Sequence, residues 1–153
     1  MTATDPAPWR LVRHGARSWR DYFAFNTDHK VIGVQYLVTT FIFFLFGGLL
    51  ALILRYELLD PQNTLDPAAY NAIFTLHGSA MIFLWVIPVM AGFANYLIPL
   101  MIGAEDMAFP RLNALSFWLL VLGGLTILSG NFLGPSDTGW TALPASVARL
   151  RAI

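Results

Sequence analysis

The stretch VIGVQYLVTTFIFFLFGGLLALIL, residues 31–54, carries no charge over 24 positions and stops at Arg55. A helix of that length is about 36 Å long, enough to cross a hydrocarbon core of about 30 Å. A chain in lipid must satisfy its own backbone hydrogen bonds, which restricts such a run to a helix. Two further apolar stretches repeat the pattern. One runs from about residue 72 to 102, contains His77, Pro88, Asn95 and Pro99, and exceeds a straight crossing, so a tilt or kink is expected. The other runs from about 115 to 133 and is bounded by Gly134-Pro135. The expected fold class is all-α: a polytopic transmembrane helical bundle with spans at about 31–54, 72–102 and 115–133.

Composition agrees with that reading. Of 153 residues, 57% are hydrophobic and 12% charged, and the mean hydropathy is +0.62. That is too little polar surface to wrap a soluble globule of this size. Net charge is zero, and the nine Lys and Arg form no stripe beside stacking aromatics, so there is no sign of a nucleic-acid surface. The absence of cysteine removes disulfides, thiolate metal sites and covalent haem attachment.

Residues 1–30 form a separate segment. They hold Arg10, Arg13, Arg17, Arg20 and Lys30 with no early apolar run, unlike a cleaved secretory signal. Trp9, Trp19, Tyr22 and Phe23 suit a stretch lying on the membrane interface. Five basic residues precede the first span and only Arg55 stands in the loop that follows it. The Lys/Arg asymmetry therefore places the N-terminus on the cytoplasmic side, the 55–72 loop outside and the 103–113 connector inside. Asp60, Pro61, Asn63, Asp66 and Pro67 read as loop chemistry, and Gly103 to Arg111 as a short polar connector.

His77 is the one ionisable group well inside a span, where such groups are costly and mark function by default. Imidazole is the commonest metal ligand, but a neutral histidine bonded to a neighbouring helix is an equally open reading. Gly78, Ser79 and Ala80 beside it are small enough to admit a flat macrocycle or a close helix. Arg55 ends the first span on the same side, so both are expected to reach one level of the bilayer. Arg55 then either donates to a haem substituent or snorkels to the interface as an ordinary stop residue. Trp140 falls at a similar level, as a propionate donor or an interfacial anchor. Glu57 pairs with Arg55 or helps hold a cation through its oxygens. Asn95 lies 18 residues beyond His77, about 27 Å along a helix. With Asp106 and Asn113 it collects on the cytoplasmic side, where a carboxylate and two amides either pass protons to ordered water or serve as a solvated loop acid and helix caps.

In order along residues 20 to 142, these residues sit in NTDHKVIG (26–33), LRYEL (54–58), TLHGSAMIF (75–83), NYLIPLMIGAEDMAFPRLN (95–113) and GWT (139–141). Together the strings resemble subunit I of the haem-copper terminal oxidases, the cytochrome c oxidase type. The resemblance implies that residues 31–142 are the N-terminal part of a larger twelve-helix subunit. His77 is then an axial ligand of the low-spin haem, of haem A type, with Arg55 and Trp140 at that haem's periphery. Asp106 is implied as the mouth of a proton-uptake path lined by Asn95 and Asn113, and Glu57 as a residue near a peripheral cation. The family reduces oxygen to water with electrons from cytochrome c and pumps protons. It does so with subunits II and III as partners, in a bacterial cytoplasmic (inner) membrane for a chain of this kind.

Two departures from the family pattern stand out. Between Pro88 and Asn95 the chain is about one residue shorter, a turn of roughly 100° on an ideal helix that a bulge or kink near Pro88 would absorb. Residues 143–153, LPASVARLRAI, diverge from the family's continuation and suggest a shifted frame or a truncation. The ligands of copper B and the high-spin haem would then lie beyond this chain, which alone would be inactive. His14 and His29 fall in the polar preface, on the wrong side to replace them. Three alternatives remain: a quinol-oxidising relative, a small membrane cytochrome in which two copies of His77 clamp one haem, and an accessory helical subunit without cofactor.

Overall fold

Asp28 starts the first long helix because its carboxylate accepts the backbone N–H groups of Lys30 at 2.8 Å and Val31 at 3.4 Å. In this computed structural model, which describes residues 18–59, 64–133 and 139 with the side chains of 131–133 excepted, helix α1 spans His29–Glu57. It begins two residues before the apolar run and continues past Arg55. The cap, not the onset of hydrophobicity, sets its start. A helix leaving lipid can also carry its charged residues on its last turn.

The second span is built of three pieces in one continuous rod: α2 (Pro67–Ser79), a π-helical stretch (Ala80–Val86) and α3 (Ile87–Ile102). It begins five residues before the expected 72. Asp66 and Pro67, read above as loop residues, are a helix start: the Asp66 carboxylate accepts from Ala69 N–H at 3.2 Å, and Pro67 opens the first turn, where its missing N–H costs nothing. The third span repeats the misreading. Helix α4 covers Pro110–Leu133, and Pro110 at its first position had been counted with the connector.

The π-helical stretch ends just ahead of Pro88. A proline ring inside an α-helix clashes with the carbonyl four residues back. Wider π turns in that region relieve the crowding without breaking the rod. At the other end, α3 closes with Gly103 in the left-handed region, φ 69°. Ala104 N–H bonds the Pro99 carbonyl at 2.9 Å and Gly103 N–H the Leu100 carbonyl. This is a Schellman closure, and it needs glycine there.

Lipid supplies no hydrophobic force to pull apolar helices together, so close packing must come from shape. Glycines provide it. A Cβ added at Gly33 would lie 2.9 Å from Tyr96 Cβ, one at Gly92 2.9 Å from Tyr36 Cβ, and one at Gly47 2.7 Å from Met81 Sδ. These pairs run in opposite order along the two spans, which fixes α1 antiparallel to the second span and in register. Gly124 of α4 receives the Phe43 ring of α1 in the same way. The helices enclose two apolar clusters, Ile32, Tyr36, Ala114 and Phe117 near the start of α1 and Phe43, Ala80 and Leu84 further along it. The three spans are each long and apolar enough to cross a membrane, and much of their outer surface is exposed and apolar, as at Ile42, Leu49, Met90 and Leu119.

Ahead of α1, a 3-10 turn at Trp19–Phe23 is closed by a capping box between Ser18 and Asp21. Gln35, 4% exposed on α1, donates from Nε2 to the carbonyls of Tyr22 and Ala24, both at 3.1 Å. The turn is thereby pinned beside the first turns of α1 with Trp19 and Phe23 exposed.

Candidate functional site

His77 lies in the last turn of α2, three residues before the π-helical stretch. Its Nδ1 is 2.9 Å from the carbonyl oxygen of Gly47 on α1. A carbonyl only accepts, so Nδ1 is the protonated nitrogen, and the remaining nitrogen, Nε2, keeps its lone pair. That is the usual condition of a metal-bound imidazole, in which one nitrogen is fixed by a second partner and the other is free to coordinate. The ring is half-buried, so one side of it is open to a ligand or another helix.

The level of that contact is set by Gly47. Arg55 stands eight residues further along α1, about 12 Å beyond, and its side chain is exposed. Arg55 therefore stands at the same end of the bundle as His77, and no hydrogen bond among the described residues joins the two. Glu57 does something the sequence did not disclose. It is 5% exposed, accepts a hydrogen bond from the Thr64 hydroxyl and a second from Leu65 N–H at 2.9 Å, and so ties the end of α1 to the segment before α2 instead of turning to Arg55. Trp140 lies outside the described residues. Gly139, φ 73°, is described, and its N–H reaches Thr75 Oγ1 at 2.9 Å, two residues from His77.

At the opposite end of the bundle, beside the start of α1, stand the two asparagines. Asn95 is 7% exposed; its Nδ2 donates to the Ala91 carbonyl at 2.9 Å, while Oδ1 is buried without a partner. Asn113, fourth residue of α4, has its Nδ2 buried without a partner. These two orphaned atoms, one acceptor and one donor, belong to the very amides singled out from the sequence. Buried polar atoms of this kind ordinarily hold ordered water. Asp106 sits half-buried in the connector with Oδ1 accepting from Met107 N–H at 2.8 Å. The fold thus gathers Asp106, Asn95 and Asn113 at one end of the bundle, though no direct hydrogen bond among the described residues links them.

Sequence reading missed three participants there. His29, assigned to the polar preface, is the first residue of α1, 1% exposed, with Nδ1 3.1 Å from the Asn95 carbonyl oxygen. The neighbouring Asp28 was the available signal, being an N-cap one residue ahead of it. Tyr36 and Ser116 are the others. Ser116 Oγ donates to the Asn113 carbonyl at 2.7 Å, so it accepts from the Tyr36 hydroxyl at 2.8 Å. Eighteen residues separate Gly47 from His29 on α1, and eighteen separate His77 from Asn95 on the partner span. The two histidines therefore bolt the same pair of spans together at opposite ends. Among the described residues no group of three or more His, Cys, Asp or Glu could hold a metal ion.

The family model described as cytochrome c and quinol oxidase polypeptide I matches residues 31–151. The chain belongs to that family. Relatives named cytochrome c oxidase subunit 1 include that of Synechocystis sp., 56% identical over 134 residues, and that of Thermostichus vulcanus, 58% identical over 140. These alignments cover 87% and 90% of this chain but 24% and 25% of the relatives. The Corynebacterium efficiens protein of the same name is 45% identical over 140 residues, 89% of this chain and 24% of its own length. The chain thus spans about a quarter of the length of the curated relatives it matches. For an oxidase polypeptide I the structure is all-helical and multi-pass, as the sequence led one to expect. The donor set present also fits the family's haem: a half-buried imidazole on an apolar span, one nitrogen locked and the other without a hydrogen bond among the described residues.

Proposed function

We propose that this chain is the N-terminal part of the catalytic subunit of a respiratory oxidase that reduces oxygen to water with electrons from cytochrome c and pumps protons. It would sit in a bacterial cytoplasmic membrane with its N-terminus inside and assemble with subunits II and III. The single observation that carries the reading is the bond from His77 Nδ1 to the Gly47 carbonyl.

That bond gives His77 its job. It holds the ring against rotation and keeps the proton on Nδ1, so that Nε2, with its lone pair, would hold a low-spin haem of A type. The haem, when bound, supplies one-electron redox chemistry between the donor and the oxygen-reducing centre. Hydrogen bonding of Nδ1–H to a carbonyl raises the basicity of the ligand nitrogen. Arg55 and Trp140 are assigned to the rim of the same group, where cationic and N–H donors suit propionate or carbonyl oxygens. The second axial ligand, copper B and the high-spin haem ligand are assigned to the remainder of the subunit.

At the inner end, Asp106 takes up protons from the cytoplasmic side. Asn95 Oδ1 and Asn113 Nδ2, unpaired and buried, would hold water that leads them inward, since apolar walls cannot order water. Glu57 is assigned to the surroundings of a peripheral cation, its carboxylate already oriented by Thr64 and Leu65.

Two substitutions in the full-length oxidase test the reading together. His77→Ala should remove the low-spin haem absorption, and Asp106→Asn should slow proton uptake while that absorption stays intact. Retention of the absorption in the first variant, or its loss in the second with uptake unimpaired, contradicts the assignment. The paired quinol-oxidising reading shares every residue discussed, and the electron donor accepted by the purified complex decides between the two.

A further inference from the structure

Gly47 is touched twice by one helix. His77 bonds its carbonyl oxygen at 2.9 Å, and four residues later the Met81 thioether fills the place where a side chain on Gly47 would go, 2.7 Å from a Cβ built there, with Cγ at 3.2 Å. Met81 is the second residue of the π-helical stretch. The change from α to π winding therefore falls between the two side chains that grip Gly47.

We propose that Met81 is a positioning residue for the His77 imidazole: its thioether, seated on Gly47, sets the spacing of α1 and the second span at which the Gly47 carbonyl reaches Nδ1. The inference rests on the reading of His77 as a haem ligand. Three physical points support it. A hydrogen bond at 2.9 Å tolerates a few tenths of an ångström of displacement before it weakens, so the helix spacing at this level must be held closely. Lipid does not press the helices together, so the spacing is set by whichever atoms are in contact, and at Gly47 those belong to Met81, with Ala80 Cβ next at 3.9 Å. Methionine is unbranched and polarizable and fits an irregular notch of this kind. The Ala80 side chain on the adjacent position is fully buried, which leaves no slack on that side of the contact.

The consequence concerns the electronics of the ligand. With Met81 in place, Nδ1–H donates to the carbonyl and the ligand nitrogen is the more basic. Without it, the contact over Gly47 opens, the hydrogen bond lengthens or is lost, and the ring becomes a weaker electron donor to ferric iron. The low-spin haem should then be easier to reduce.

The test uses the assembled full-length oxidase and reads the midpoint potential and the electron paramagnetic resonance signal of the low-spin haem. Met81→Ala should move the potential upward and broaden or shift the signal. Met81→Leu, which keeps the volume, should leave both in place. Gly47→Ala should produce a disturbance of its own by pushing the thioether outward, and Gly47→Ala with Met81→Ala should bring potential and signal back toward the parent, because the new methyl group occupies the vacated space. This last pair decides the matter even if Met81→Ala alone fails to assemble. Unchanged potential and signal in Met81→Ala, or a double variant no closer to the parent than Gly47→Ala, overturns the proposal. His77→Ala serves as the separate control: persistence of the low-spin signal there refutes the haem assignment itself, whereas its loss together with silent Met81 variants refutes only the role of Met81.

Discussion

His77 and His29 make the same kind of bond, ring nitrogen to carbonyl, at opposite ends of one helix pair, yet only one was legible as a candidate from the sequence. A histidine amid apolar residues advertises itself, because burying it in lipid is expensive. A histidine flanked by Asp28 and Lys30 does not, since the charged neighbours suggest solvent. Asn95 and Asn113 were legible as polar groups in apolar surroundings, but their orphaned atoms are a three-dimensional property that spacing cannot reveal. The hydrogen bonds of Glu57 are hidden for the same reason: Thr64 and Leu65 lie beyond a loop whose path the sequence does not specify. Gly103→Ala forces a side chain into a left-handed conformation, which costs about 1–2 kcal/mol. Hydrogen exchange of the Ala104 amide should accelerate about tenfold, and an unchanged rate would show that the Schellman closure does not hold the end of α3.

Helices were easier to find than their ends. Uncharged runs of twenty or more residues identify spans because the hydrocarbon core demands that length. Ends depend on one or two capping atoms instead. Asp66-Pro67 and Phe109-Pro110 looked like turns, since proline serves both turns and first helical positions equally well. The π-helical stretch was foreshadowed only as an expected bulge or kink near Pro88, and its position at Ala80–Val86 follows from winding that composition does not encode. Two predictions belong here. Asp66→Ala should cost about 1 kcal/mol of cap energy, visible as faster amide exchange at Ala69 and Tyr70 with the remainder of the span unaffected. Gly33→Leu should drive α1 away from Tyr96 and destabilise the helix pair, lowering the thermal midpoint of the solubilised oxidase. The same change at Gly48, where a Cβ meets nothing within 4 Å, should be tolerated.

For the molecule as a whole, the proposed sidedness rests on the Lys/Arg asymmetry. Since these 153 residues hold no cysteine, an introduced one reports the sidedness of its own position, read against the same labelling of the parent. Leu59→Cys should react with an impermeant maleimide added outside intact cells, and Glu105→Cys only after the membrane is opened; the reverse pattern would invert the bundle and strand Asp106 on the wrong side for proton uptake. Three helices with long exposed apolar faces and an imidazole bearing one free nitrogen make sense as a piece of a larger assembly, which agrees with a chain covering about a quarter of its relatives. The proposal on which the function rests is coordination by His77. In the full-length oxidase, His77→Gly leaves a hole the size of an imidazole, and the low-spin haem signal can be followed by electron paramagnetic resonance as free imidazole is added. The account predicts that the signal vanishes in the variant and returns with imidazole in a saturable manner. A signal that survives the substitution, and ignores the added imidazole, would contradict it.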